Sequence, residues 1–271
     1  MGAVIERLNR FEAFDPTDAE ALIERATVRG VQDIRRAAIG IRDFAARHGL
    51  RAALCADIAS KEVMTDADGA VLASEVFGWS ADGERWWEDQ RLALHSLLPR
   101  ACRYESESFW CNAGGFFTTS VNPYLQEIDP AQFFESQPFR AAIVVPVHLP
   151  FAQVSANSFM PADPQVDCLS GVFSRVGGTL AAMTRRFITG YVAAKRPRRR
   201  IPSACELSKR EVECLRWAAI GKTDREIATI IDLSHATIRY HINRASEKLN
   251  AVNRAQTVFK AGQLGYLGAS A

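Results

Sequence analysis

Four helix-start signals crowd between Ser208 and Gln256, and nothing else in the chain constrains its fold as tightly. Ser208-Lys209-Arg210-Glu211 has the S-x-x-E form in which a serine oxygen takes the third helical amide and the glutamate returns to the cap amide. Thr223-Asp224-Arg225-Glu226 repeats that grammar, Ser234 caps a third start, and Asn253-Arg254-Ala255-Gln256 opens a fourth. Behind each cap the apolar residues recur at helical spacing: Val212, Leu215, Ala218 and Ala219; Ile227, Ala228 and Ile231; Ile238, Ile242, Ala245 and Leu249; Val258, Ala261 and Leu264. Gly221 and Gly265 stand where left-handed caps close the first and last helices. A small four-helix domain over 207–267 follows.

Only a few residues separate the second helix, ending at Asp232-Leu233, from the third, which is the spacing of a helix-turn-helix with its third helix offered to a major groove. If Ile238, Ile242 and Ala245 face inward, then Arg239, Tyr240, Asn243, Arg244 and Glu247 face outward. Arg239 and Asn243 lie one turn apart and are the residue types that read guanine and adenine edges in bidentate pairs. Thr237, Arg244, Lys248, Arg254, Lys222 and the Ser234 end of the helix are the expected phosphate contacts. A solvated amphipathic face would account for any one of these cations, and the helix-turn-helix spacing selects the DNA reading. Charge agrees: residues 1–194 hold 18 Lys and Arg against 24 Asp and Glu, the remainder 15 against 7, so a net +2 conceals an acidic body and a basic end.

These residues resemble a known family. Gly221-Lys222-Thr223, Glu226-Ile227-Ala228, Leu233-Ser234, Ala236-Thr237-Ile238, His241-Ile242, Glu247-Lys248-Leu249, Asn253-Arg254-Ala255-Gln256 and Leu264-Gly265 are similar to the DNA-binding domain of LuxR-type transcription regulators. The resemblance implies a homodimer that reads a palindromic site on double-stranded DNA with the third helix and dimerises through the fourth; a cytoplasmic chain is expected from the lack of a membrane span or targeting signal in the sequence. It also implies that His241 is a packed helix histidine and not a metal ligand. Sigma-factor domains share the motif, but one such domain behind an acidic body of this size fits them poorly.

The remaining residues read as a separate sensor domain over 1–194, joined by a basic, proline-containing linker over 195–206 (Lys195-Arg196-Pro197-Arg198-Arg199-Arg200-Ile201-Pro202). That linker reads as a solvated hinge or as a strip lying along phosphates. Helix over 17–48, strands over Leu50–Ile58, Arg140–His148 and Val154–Phe159, and a long helix over Val166–Tyr191 predict an α+β domain, an α/β/α sandwich around an antiparallel sheet. In the long helix Val166, Leu169, Val172, Phe173, Val176, Leu180, Met183, Phe187 and Tyr191 form a packing stripe interrupted in propensity by Gly177-Gly178. The longest apolar stretch, Ala141 to Val147, is far short of a membrane span, and six cysteines without metal spacing predict reduced thiols and no metal site.

Thirteen of the 25 Phe, Trp and Tyr residues fall between Phe77 and Phe139, a density suited either to an apolar pocket or to an aromatic core. Trp86 or Trp87, Pro99, Phe109-Trp110, Phe133-Phe134 and the strand Ala142 to His148 resemble, in gapped form, the autoinducer-binding domain of quorum-sensing LuxR regulators. The resemblance implies a ligand site of Trp86, Trp87, Gln90, Leu98, Phe109 and Trp110 and an acyl-homoserine lactone or a different small signal as ligand, with no other cofactor. Where that family has a tyrosine and an aspartate the chain has Gln90 and Leu98. An amide N–H buried without its acceptor costs about 1–3 kcal/mol, so a diverged signal, or none, is expected.

Two further readings remain. A phosphorylation-driven response regulator would use Asp57 at the end of the first strand, and an enzyme would draw on Cys55, Cys102, Cys111, His95 or His148. Neither acidic pair nor strand lysine accompanies Asp57, and no nucleophile–base spacing joins the thiols and imidazoles, so no catalytic residue is expected.

Overall fold

The expected helix over 17–48 is two helices with a break between them: α1, Pro16–Arg25, and α2, Ile34–Arg47. The break is built by Asp33, whose Oδ2 accepts from the amides of Arg29 and Gly30 at 3.0 and 3.3 Å and draws the chain into a tight 3-10 turn at Val31–Asp33. This computed structural model describes residues 16–60, 62–79, 96–195 and 206–268. They fall into two compact units that divide just past the long helix, with Pro150–Ala152 grouped with the second.

In the first unit the sheet strands are β1, Leu50–Cys55; β2, Phe109–Asn112; β3, Gly115–Phe117; β4, Ala141–Leu149; and β5, Gln153–Pro161. Every pairing is antiparallel, in the order β1-β5-β4-β2-β3. The first strand stops at Cys55, short of Ile58, because Asp57 opens a turn in which Oδ1 accepts from the Ala59 amide at 3.0 Å. Central β4 is buried on both sides from Ala141 to Val147, which is why its sequence is a continuous apolar run and not an alternation.

The short strands β2 and β3 were not expected. They pair Asn112 with Gly115 across the two-residue loop Ala113-Gly114, with the Asn112 Oδ1 accepting from the Gly114 amide at 2.8 Å.

Among the described residues four short helices complete the unit: α3, Leu72–Glu75; α4, Leu97–Ala101; α5, Pro123–Gln126; and α6, Ala131–Ser136. The long helix α7, Ser170–Lys195, starts four residues later than expected because Asp163 holds the preceding chain in a turn through the Gln165 and Val166 amides. Its Gly177 is occupied from above: the Phe173 ring lies 2.7 Å from where a Cβ would be.

One sheet face presents Leu50, Ala52, Ile143, Val145, Val147 and Phe159 to α1, α2 and α7. The other presents Cys55, Phe109, Cys111, Val144 and Met160 to α4, α5 and α6. Helices on both faces of an antiparallel sheet make the expected α/β/α sandwich.

The second unit is the expected four-helix domain: α8, Lys209–Ala219; α9, Asp224–Ile230; α10, His235–Lys248; and α11, Arg254–Gln263. Ser208, Thr223, Ser234 and Asn253 each accept from the amide three residues on, and the first two complete full capping boxes. All four helices end alike, on a left-handed residue followed by a six-to-one bond, as in Lys222 N to Trp217 O and Leu233 N to Ala228 O. Gly221 and Gly265 fill two of these positions, as the sequence reading has it; Asp232 and Asn250, types that tolerate φ near +50°, fill the others. Cys214, Ile227, Ile238 and Ile242 form one part of the core, and Leu215, Ala245, Leu249 and Ala261 the other.

Candidate nucleic-acid interface and ligand site

The helix α10 sits against the rest of its unit by Ile238, Ile242 and Ala245, all buried, which turns Arg239, Tyr240, Asn243 and Arg244 outward. Among the described residues, Arg239 and Asn243 have no hydrogen-bond or ion-pair partner. They form a donor and acceptor set held on a capped helix with its hydrogen-bonding capacity unspent. Tyr240 is 60 % exposed, its ring 5.6 Å from that of His241. At the helix start the Ser234 hydroxyl accepts from the Thr237 amide at 3.1 Å and meets the Thr237 hydroxyl at 2.8 Å. The first-turn amides of any helix lack intrahelical acceptors, so this end favours an anion.

The expected phosphate contacts fall into two groups. Lys222, half-buried, and Arg244, exposed, pair with carboxylates four and three residues on, Glu226 at 3.4 Å and Glu247 at 2.8 Å, which are weak surface pairs. Lys248 and Arg254 are placed otherwise. The Lys248 ammonium donates to Glu211 Oε2 at 2.8 Å and to the Glu206 carbonyl at 3.0 Å, and Glu211 is 4 % exposed. Arg254 pairs with Asp224 and donates to the Lys222 carbonyl. Both cations answer charges inside the unit, bracing α10 to the α8 cap and α11 to the start of α9. The sequence held a signal for this bracing: Glu211 must turn back to its own cap amide, and a carboxylate so buried requires a cation.

Burial alone would raise the Glu211 carboxyl; the Lys248 ammonium and the Ser208 amide outweigh it and hold the group below its usual value.

On the sensor side, Trp86, Trp87 and Gln90 lie outside the described residues. Leu98 and Phe109 are buried together under the α4–α6 layer. Trp110 is not with them. As the next residue on β2 it points to the opposite face, packs toward the α7 layer and stacks on Phe117 at 3.9 Å with 7° between the planes. Strand alternation therefore puts Phe109 and Trp110, both named in the expected ligand site, on opposite faces of the sheet.

Trp79, which sequence reasoning passed over, is held at the sheet edge by its indole N–H, 2.6 Å from the Ala52 carbonyl, with the Arg51 guanidinium 4.1 Å above its ring. A cavity of about 30 Å³, room for about one water, lies between Leu54–Ala56 and the segment carrying Met64, Leu72 and Phe77. An open groove of about 670 Å³ runs beside β3, lined by Phe116, Val121, Leu125, Ile128 and Pro130.

The thiols and imidazoles are accounted for structurally. Burial pushes Cys55 up to about 12 and raises Cys102 and Cys111 further, so all three stay protonated at neutral pH. His148 Nε2 lies 2.8 Å from the Cys102 carbonyl, and His95 lies outside the described residues. Among the described residues no three His, Cys, Asp or Glu side chains gather to hold a metal, and no helix is long and apolar enough to cross a membrane. The phosphorylation reading is overturned by topology: a receiver domain needs a parallel doubly wound sheet, whereas here the sheet is antiparallel and Asp57 builds a turn.

Comparison with known proteins bears on the second unit first. The family model "GerE: Bacterial regulatory proteins, luxR family" matches residues 206–261, a range that begins just before the α8 cap and runs into α11. Residues 206–261 are thus similar to a luxR-family regulatory domain. The transcriptional activator protein VanR of Vibrio anguillarum is 45% identical over 80 residues, 30% of this chain and 31% of VanR. The quorum sensing-dependent transcriptional regulator VjbR of Brucella ovis is 48% identical over 61 residues, 22% of this chain and 24% of VjbR. The chain thus spans less than a third of the length of these curated relatives. Among solved structures, Escherichia coli SdiA aligns over 93% of this chain and 98% of its own, at 18% identity and a TM-score of 0.46. The luxR-family match covers the whole helix-turn-helix, including the face that carries Arg239 and Asn243.

Proposed function

We propose that the chain is a cytoplasmic, non-enzymatic transcription regulator that binds a palindromic site on double-stranded DNA as a homodimer, and that its first unit receives a small apolar signal of the acyl-homoserine lactone kind or a relative of it. One observation carries the DNA reading: Arg239 and Asn243 project from a helix fixed at both ends, with no partner among the described residues, inside a luxR-family domain. Lys222, Arg244, Thr237 and the Ser234 end of α10 flank them as phosphate contacts, and Tyr240 supplies an exposed ring at the same face. Lys248 and Arg254 support that face from behind.

Replacing Arg239 or Asn243 by Ala is expected to weaken binding to a selected cognate duplex by about 1–3 kcal/mol and to relax base choice at one position of each half-site. Replacing Lys222 is expected to weaken all duplexes alike and to flatten the salt dependence by about one ion. Titration of duplexes selected with the parent protein checks both, and an Arg239→Ala protein that binds its cognate site undiminished would overturn this orientation of α10.

The signal reading is supported by the buried apolar wall that Leu98, Phe109, Leu125, Phe134 and Val144 form among the described residues. A regulator that needs no small molecule is the second reading, favoured by the separation of Trp110 from that wall. Saturating ligand at 100 times its Kd adds about 2.7 kcal/mol of stability, so thermal unfolding with and without a panel of acyl-homoserine lactones and an organic extract of the source cells separates the two.

A further inference from the structure

Three side chains converge on the turn within the wall of the small cavity that carries Met64 and Leu72. The Thr65 amide donates to the Tyr191 hydroxyl at 3.1 Å, and the Lys195 ammonium donates to the Thr65 hydroxyl at 2.9 Å and to the Asp66 carbonyl at 2.6 Å. The Asp66 carboxylate, 1 % exposed, accepts from the amides of Asp68 and Ala70 at 3.0 and 2.9 Å and pairs with the Arg35 guanidinium at 2.8 Å. That arrangement fixes the turn internally through its own carboxylate and externally to α2 and α7 at once. Its flanking residues, Met64 before and Leu72 after, line the cavity together with Ala56 and Ala73. On the other side it grips Lys195, the last residue of α7 and the point from which the chain leaves the first unit.

We infer that the Thr65–Asp66 turn is a relay: a group that fills the cavity displaces Met64 and Leu72, shifts the turn, and releases Lys195 at the entrance to the linker. The inference rests on the sensor reading for its purpose but not for its test. The cavity has room for only about one water, so a larger group must push its lining aside, and a packed core transmits such a displacement instead of absorbing it.

Trypsin reads the grip directly. Its S1 pocket must take the Lys195 side chain, which is unavailable while the ammonium is held by Thr65 and Asp66. The full chain is digested briefly and the cut after Lys195 is followed by mass spectrometry, with cuts after Arg210 and Arg216 as internal controls. Thr65→Val, which removes one acceptor at near-constant volume, is expected to accelerate the Lys195 cut about threefold or more with the controls unchanged. Ala73→Val, which adds atoms to the cavity and touches neither Thr65 nor Lys195 by hydrogen bond, is expected to do the same, and Ala56→Val repeats that test from the β1 wall.

An unchanged Lys195 cut in Thr65→Val would mean that no grip exists. Acceleration by Thr65→Val but by neither alanine variant would mean that the grip is independent of the cavity. Either result overturns the relay. Because no DNA or signal molecule enters the assay, its failure is separate from failure of the regulator reading, which the duplex titrations address.

Discussion

Lys248→Met is expected to destabilise the second unit by about 2–4 kcal/mol while leaving the salt dependence of DNA binding at its parent slope. Removing one partner of a buried pair leaves the other charge uncompensated, and here the survivor is Glu211, 4 % exposed and already committed to the Ser208 amide. The remaining exposure of Lys248, 23 % of its side chain, sets the figure below that of a fully buried pair. A phosphate contact behaves differently: its loss lowers the salt slope by about 0.9 and leaves folding nearly untouched.

Acid adds an independent check. The Glu211 carboxyl is held below its usual value, so the stability it contributes is fully present above that unfolded value of 4.5 and is lost as pH falls through its folded value. In the Met variant only the Ser208 contacts still oppose burial, so the group rises relative to the parent and protonation relieves the variant. The gap in unfolding free energy between parent and variant should therefore be widest near neutral pH and close on acidification. A gap that stays constant from pH 7 to pH 3 would assign the loss to packing of the lysine stem and not to its charge.

The second unit was legible because its signals are local. A cap serine or threonine and a glutamate three residues on determine a helix start without reference to anything distant, and Ser208, Thr223, Ser234 and Asn253 all stand where the sequence reading placed them. The outward face of α10 followed from the same arithmetic. What α8 and α9 would demand of Lys248 and Arg254 did not, because their partners Glu211 and Asp224 lie 37 and 30 residues away along the chain.

The first unit was read in outline, and its errors have physical causes. The hairpin of β2 and β3 has strands of four and three residues, too short for a period of two to stand out from an aromatic-rich stretch. Asn112-Ala113-Gly114-Gly115 was the available turn signal. The alternation of β2 therefore goes unread in the sequence, and the resemblance that puts Phe109 and Trp110 in one ligand site does not say which sheet face each takes. The break after α1 depends on one aspartate side chain folding back on two amides, a contact that periodicity does not register.

Gly190→Ala is expected to cost the first unit about 3 kcal/mol or more, well above the usual ~1 kcal/mol by which alanine is favoured over glycine inside a helix. A Cβ at Gly190 would stand 2.3 Å from the Val28 carbonyl oxygen and 2.8 Å from the Val28 Cβ. The nearer obstacle is backbone, so no rotamer change relieves it. Val28 is buried beside Ala26 in the segment after α1, and that segment cannot retreat without opening the layer in which Ile34, Phe187 and Ile188 pack.

The glycine is thus where α7 comes closest to the start of the unit, four turns after Phe173 settles over Gly177, and it lies one residue from Tyr191, whose hydroxyl takes the Thr65 amide. Two measurements separate a local clash from a general weakening. Chemical unfolding of Gly190→Ala should show the loss of stability, and Gly178→Ala, at an exposed helical position with nothing within 4 Å of the added carbon, should be neutral or stabilising. Equal effects of the two substitutions would remove the close approach as the explanation. If the approach holds, a shift of α7 at Gly190 should also reach Lys195 five residues on, so the trypsin cut after Lys195 should quicken in Gly190→Ala and stay at the parent rate in Gly178→Ala.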